Sequence, residues 1–193
     1  MTPTYLQKVG LAEGVAADEK AVINFQLKKA LEGVAFLPFG RLMDQWRWDV
    51  FSGKVKPAQY NAHWWALRRK FQGVDAPSAR NEGDFDPGAK YHIPANVPYL
   101  RYFLARVYQY QFHQALCASA GWKGPLHACS IHGSKAAGDR LNAMMALGKS
   151  KPWPEAMKAI TGQAKADATP MLAYYAPLRA WLKKQNAGKK CGW

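Results

Sequence analysis

Lys90, His92, Tyr99, Arg101 and Tyr102 fall within thirteen residues, in a stretch punctuated by Pro87, Pro94 and Pro98. An ammonium group can grip a carboxylate, and imidazole and phenol groups can donate hydrogen bonds to a carbonyl oxygen that is gaining charge. If Pro87 and Pro94 hold their segment extended, period-two geometry sets Lys90 and His92 on one side. Tyr99 and Tyr102, three apart at the start of a helix, share a face. Arg101 is turned about 100° away from Tyr102. Lys90 with Tyr99 then suits a carboxylate, and His92 with Tyr102 suits an oxyanion. A satisfied polar network beneath a helix N-terminus fits the same spacing.

Other groups carry weaker signals. Trp64 and Arg68, at i and i+4, make either a stacked, anion-holding pair or one face of an amphipathic helix. His127 and His132 sit in a glycine-flanked loop without helical metal-pair spacing, and His63 and His113 read as structural or exposed. Asp44, Asp49 and Glu32 are isolated acids in aromatic helices. They read as ion-pair partners for Arg41 or Arg47 rather than as acid–base catalysts. No H-E-x-x-H, no G-x-S-x-G and no phosphate-binding loop occurs. On this reading the chain holds no metal-ligand set and no evident nucleophile.

The elements that must position these residues read as helices throughout, an all-α fold. Apolar positions at Val22, Phe25, Leu27, Ala30, Leu31 and Val34 give a helical period from about 18 to 36. A break follows at Leu37-Pro38-Phe39-Gly40. Further helices are expected at 41–51, 57–72 and 98–120. The last of these is apolar almost all round, as a buried helix would be. Then come 134–147 with Ser134 as N-cap, 154–160, and 169–185 interrupted at Pro177. Between 73 and 97 lies a long irregular segment rich in Gly, Pro, Asp and Asn, with at most a short strand pair near 90–93. Irregular stretches of that length in compact domains are often functional.

With 193 residues, 49% of them hydrophobic and 13% aromatic, the chain can bury a sizeable core and is not disordered. It reads as one partial domain over 1–193. The net charge of +14 admits nucleic acid as a partner. Yet the basic residues form no run of five or six, so no nucleic-acid partner is assigned. No transmembrane segment is expected, and the first residues lack the pattern of a signal peptide. Cys117 and Cys129 flank a turn, where a disulfide and two buried thiols fit the spacing equally well. Cys191 has no assigned role.

Several blocks, taken together in order, resemble the C-terminal part of the angiotensin-converting-enzyme family of zinc peptidyl-dipeptidases. They include Phe36-Leu37-Pro38-Phe39, Asp44-Gln45-Trp46-Arg47-Trp48, Trp64-Trp65-x-Leu67-Arg68, Asp84 to His92, Val97-Pro98-Tyr99-x-Arg101-Tyr102-Phe103, Gln109 to Phe112, Gly124-Pro125-Leu126-His127, and Pro152-Trp153-Pro154-Glu155 through Ile160-Thr161-Gly162. The similarity is read from about Ala21 to Trp193. It implies a helical fold of two halves around a deep cleft, with zinc held by residues absent from this chain.

By the same resemblance, Lys90 and Tyr99 bind the C-terminal carboxylate of a peptide substrate, and His92 and Tyr102 stabilise the tetrahedral intermediate. Phe36 lines the pocket beyond the scissile bond, and Trp64, Arg68 and Arg101 belong to chloride sites. The resemblance pairs Cys117 with Cys129 and implies a periplasmic, secreted or membrane-associated parent. Arg106 departs from the family, standing where an apolar pocket residue is common, which favours acidic substrate side chains. The expected function is the carboxylate-binding and oxyanion-stabilising part of a dipeptidyl carboxypeptidase, inactive alone, with the missing N-terminal part of the same enzyme as partner. The alternative is a non-catalytic remnant that binds peptide C-termini or anions.

Overall fold

In the computed structural model of the chain, residues 2–16 and 18–192 are described; Met1, Ala17 and Trp193, and with them both ends of the expected 1–193 span, lie outside the described residues. Nine α-helices are present among the described residues, with no strand, and the all-α expectation holds. They are α1 (Pro3–Lys8), α2 (Glu19–Gly33), α3 (Phe36–Phe51), α4 (Tyr60–Gln72), α5 (Leu100–Ser119), α6 (Lys135–Ala146), α7 (Trp153–Thr161), α8 (Thr169–Tyr174) and α9 (Ala176–Gln185). Among the described residues no helix is long and apolar enough to cross a membrane. The chain divides into two compact units. One comprises residues 1–28 and 107–187, the other 29–106 and 188–193.

The unit formed by 29–106 and 188–193 carries the candidate site. Its core joins α3 to α4, with Leu42, Met43, Trp46, Trp64, Leu67 and Tyr99 buried together. The break between α2 and α3 comes at 34–35, ahead of the expected position. Pro38 does not end a helix because it sits in the first turn of α3, where backbone donors have no partner to lose. Gly40 lies where a Cβ would stand 3.0 Å from Phe36 and 3.3 Å from the Cβ of Phe103, so the start of α5 can lie close to α3. Ahead of α4, a 3₁₀ turn covers Pro57–Gln59. The Glu82 carboxylate accepts from the amides of Asn61 and Ala62 at 2.7 and 2.9 Å and so caps that helix from a distance.

The segment 73–97 is irregular, as expected, but not loose. Asp86 accepts hydrogen bonds from Asn61 (2.9 Å), Trp65 (2.8 Å) and Arg80 (3.0 Å), and its own amide donates to Asn61 at 2.9 Å. The Arg80 guanidinium, helped by Trp65 and Asn61, holds the Asp86 carboxyl well below the usual carboxylate range. Near 90–93 the chain forms no strand pair. Successive turns bond Ile93 to the Lys90 carbonyl and Ala95 to the Tyr91 carbonyl. Pro87 and Pro94 therefore bracket a turn instead of an extended segment, and period-two alternation does not apply to Lys90 and His92.

In the unit formed by 1–28 and 107–187, Leu116, Ala137 and Ile160 form a small core with Phe112, Ile131, Leu141 and Met144 packed on it. Ser134 caps α6 as expected. The 169–185 helix breaks at Tyr175, two residues before Pro177, which takes the second position of α9. Gln26 is fully buried; its amide donates to the Tyr174 carbonyl, and its oxygen accepts from the Leu178 amide at 3.0 Å. Gln111 likewise bonds the Lys165 carbonyl and the Asp167 amide, both at 3.0 Å. Cys117 and Cys129 form the disulfide. The expectation that the 98–120 helix is buried all round fails. Only Val107, Gln111, Leu116 and Cys117 of α5 are buried, and its other residues are half-buried or exposed.

Candidate functional site

The aromatic core of the 29–106 unit closes around Tyr99, which is 5% exposed. Its ring meets His92 at 4.7 Å, Tyr102 at 5.1 Å, Phe39 at 5.7 Å and Phe36 at 5.9 Å. Lys90 Nζ lies 5.4 Å from the centre of the Tyr99 ring and 5.9 Å from that of Phe39. His92 Nε2 stands 3.4 Å from the Tyr102 hydroxyl. Thus Lys90, His92, Tyr99 and Tyr102 are brought together, although by a turn and a helix start and not by an extended strand. Tyr99 and Tyr102 sit three residues apart at the entry to α5, as their spacing suggested.

The electrostatics favour a neutral imidazole. Burial pushes the His92 pKa down, and the positive charges of Lys90, Arg47 and Arg101 push it the same way, with Asp44 acting in opposition. Its Nδ1 is buried with no hydrogen-bond partner among the described residues. A neutral His92 beside the Tyr102 phenol has the chemistry to donate to a developing oxyanion, and the Lys90 ammonium has the charge to attract a carboxylate. Burial raises the Tyr99 pKa, so its hydroxyl stays protonated and able to donate.

The remaining expected residues fall around this group. Phe36 is half-buried against Tyr99, and the Arg106 guanidinium stands 5.7 Å from the Phe36 ring. Arg68 lies over Phe39, Trp64 and Trp65 at 5.4, 5.8 and 5.9 Å. Its Nε is buried with no hydrogen-bond partner among the described residues, and burial lowers its pKa. Arg101, which the resemblance assigns to a second chloride site, is exposed, and its charge acts on His92. Asp44 pairs with Arg47 as expected, whereas Arg41 instead stacks over Phe71 at 4.8 Å. Asp49 is buried and accepts from Lys54, His63 and Gln45. Burial alone would raise its pKa, but those hydrogen bonds carry it below the ordinary value.

Two participants had no clear signal in the sequence. Phe39 joins the cationic groups, with Lys90 and Arg68 each against its ring. Asp44 serves as more than an ion-pair partner, since its second oxygen accepts from the backbone of Tyr99 and Leu100 at 2.8 and 2.7 Å. A contact spanning 55 residues has no local pattern to announce it.

Among the described residues, the one grouping of potential metal ligands is His113, Cys117 and Cys129, with ligand atoms within 4.8 Å of one another. The two sulfurs are bonded to each other, so neither is a thiolate, and these donors do not fit a zinc centre.

Comparison with known proteins agrees with the aromatic and proline blocks. A family model described as angiotensin-converting enzyme, peptidase family M2, matches residues 1–193, extending the resemblance to the N-terminal side of Ala21. The chain is 54% identical over 194 residues to angiotensin-converting enzyme from Bos taurus, covering 100% of this chain and 15% of that protein. Identity is 47% over 199 residues with angiotensin-converting enzyme from Theromyzon tessulatum, covering 100% of this chain and 32% of the relative. It is 44% over 191 residues with the angiotensin-converting enzyme-like protein Ace3 from Mus musculus, covering 98% and 26% respectively. The chain thus spans well under half the length of these relatives.

Proposed function

This chain belongs to the angiotensin-converting enzyme family of zinc metallopeptidases, and from that premise we propose that it is the substrate-carboxylate and oxyanion portion of a dipeptidyl carboxypeptidase. The observation that carries this reading is the convergence of Lys90, His92, Tyr99 and Tyr102 on one aromatic core. Lys90 and Tyr99 take the terminal carboxylate of a peptide. His92 and Tyr102 donate to the scissile carbonyl as it becomes an oxyanion. Such donors are strongest when they are held in place before charge develops. Phe36 and Arg106 border the part of the peptide that leaves as a dipeptide, and Arg106 favours acidic side chains there. The Arg68 Nε, without a hydrogen-bond partner among the described residues and over Trp64 and Phe39, supports a chloride role for Trp64 and Arg68, with Arg101 contributing to a second chloride.

A bound zinc would supply Lewis acidity toward the carbonyl and toward water, and since the donors of this chain do not fit it, residues outside this chain would hold it. The residues here bind, orient and donate protons, acting as one partial domain whose partner is the N-terminal part of the same enzyme. Exposed Trp48, Phe51 and Trp153 support such a covering partner. The parent works in the periplasm, as a secreted protein or at a membrane. A carbonyl-polarising donor typically supplies only about 10²–10³ in rate. Purified chain incubated with an N-blocked tripeptide should therefore show no turnover, with or without added zinc. Chelator-sensitive release of a dipeptide would overturn this.

Arg68 also favours a second reading, a non-catalytic binder of anions or peptide C-termini. Recovery of activity on adding the N-terminal part of the enzyme decides for the first; carboxylate binding without such recovery decides for the second.

A further inference from the structure

The backbone beneath the site is held by charge. Asp44, on α3, is 4% exposed, and Arg47, one turn later, is 5% exposed. The guanidinium donates to Asp44 Oδ1 through Nε at 3.0 Å and through Nη2. The other carboxylate oxygen, Oδ2, accepts from the amides of Tyr99 and Leu100, at the entry to α5. Arg47 Nη1 donates to the His92 carbonyl at 3.1 Å, and that carbonyl also accepts from the Val97 amide at 2.9 Å. A single buried pair therefore grips the helix start that carries Tyr99 and Tyr102 and the turn that carries Lys90 and His92. The Tyr99 and Leu100 donors would be orphaned at a helix N-terminus, and a carboxylate satisfies both while opposing the positive end of the helix dipole. Planar guanidinium can hold the carboxylate and the carbonyl together, which a lysine ammonium cannot do with the same fixed geometry.

We propose that Asp44 and Arg47 are positioning residues of this site, setting the register between the His92 turn and the Tyr99–Tyr102 helix start so that the clamp and the oxyanion donors face one ligand. The inference builds on the function proposed above and goes beyond it in naming what fixes the geometry. Neither residue touches the peptide; both act through the backbone of residues that do. Site groups held by buried partners keep a productive arrangement that a loop alone would lose.

The pair also acts on His92 through charge. The charged groups acting on this imidazole are Lys90, Arg47 and Arg101, which disfavour its protonation, and Asp44, which favours it; the Tyr99 and Tyr102 rings lie against it. Substitutions in the pair should move its titration in opposite directions.

The test follows the His92 ring by NMR through a pH titration in wild type, Asp44→Asn, Arg47→Gln and Arg47→Lys, with calorimetric binding of a free-carboxylate dipeptide alongside. The midpoint should fall in Asp44→Asn, rise in Arg47→Gln and stay in place in Arg47→Lys. Arg47→Lys keeps the charge and loses the fork, so His92–Tyr102 cross-relaxation should weaken and dipeptide affinity should drop about tenfold. Unmoved midpoints in folded Asp44→Asn and Arg47→Gln, or unaltered cross-relaxation in Arg47→Lys, would overturn the proposal. Should the first two variants unfold, Arg47→Lys decides. A wild type that binds no dipeptide rejects the proposed clamp, while the ligand-free cross-relaxation still judges the positioning role.

Discussion

The 29–106 unit and the 107–187 stretch solve the same problem, fixing irregular backbone, with different chemistry. Around the candidate site the anchors are charged, with Asp44 and Arg47 holding the His92 turn and the α5 entry, and Asp86 and Glu82 holding the loop before them. In the 1–28 and 107–187 unit the anchors between distant segments are neutral or covalent, and the Asp167 carboxylate reaches only the Thr169 amide two residues on. Gln111 spans the 165–167 loop, Gln26 does the same for the α8–α9 turn, and the disulfide closes the 117–129 loop. Charged anchors fix geometry and also set the electrostatics of what they hold. Amides and disulfides fix geometry alone. Charged anchors between distant segments are found where chemistry is proposed.

Breaking the Asp44 anchor should have the largest effect. Asp44→Ala strands a buried guanidinium and two helix-start amides, and losing one partner of a buried pair costs about 3–5 kcal/mol. Urea unfolding followed by circular dichroism measures it; a loss near 1 kcal/mol would place Asp44 among ordinary surface ion pairs. Next comes the disulfide. Replacing Cys117 and Cys129 with serine should cost about 3 kcal/mol for a loop of this size, read in the same assay. Gln26→Ala leaves the Tyr174 carbonyl and the Leu178 amide unpaired and should cost about 2 kcal/mol, with His92 titrating as before.

The smallest effect is acidic. The folded pKa of Asp86 is depressed, so its contribution is present in full above the unfolded value of 3.8 and fades as pH falls toward the folded one. Melting temperature should therefore decline below about pH 4, and Asp86→Asn should flatten that decline. An equal decline in the variant would mean that other carboxylates carry it.

Much of this was legible in the sequence because it is local. The helical period of α2, the Ser134 cap, the irregular stretch at 73–97 rich in Gly, Pro, Asp and Asn, and the i, i+3 pairing of Tyr99 with Tyr102 each rest on a few neighbouring residues. The failures share a cause. Pro38 was read as a breaker because proline interrupts helix interiors, but in the first turn no hydrogen bond is lost. Pro87 and Pro94 were read as extending their segment, yet turn hydrogen bonds from Lys90 to Val97 prevail. The α5 helix was read as buried from composition alone, which does not say whether the covering surface belongs to the same chain. The reach of Asp44 across 55 residues to the Tyr99 amide has no local sign. What the sequence conveyed about the site came from residue types and order, while the convergence came from contacts between distant segments.

The central claim is that Lys90, Tyr99, His92 and Tyr102 form a receptor for a peptide C-terminus. Titration calorimetry at low ionic strength, with a dipeptide bearing a free carboxylate and the same dipeptide as its amide, tests it most directly. The carboxylate should bind at least about tenfold more tightly, and Lys90→Met should erase the difference. Equal affinities for the two ligands would contradict it.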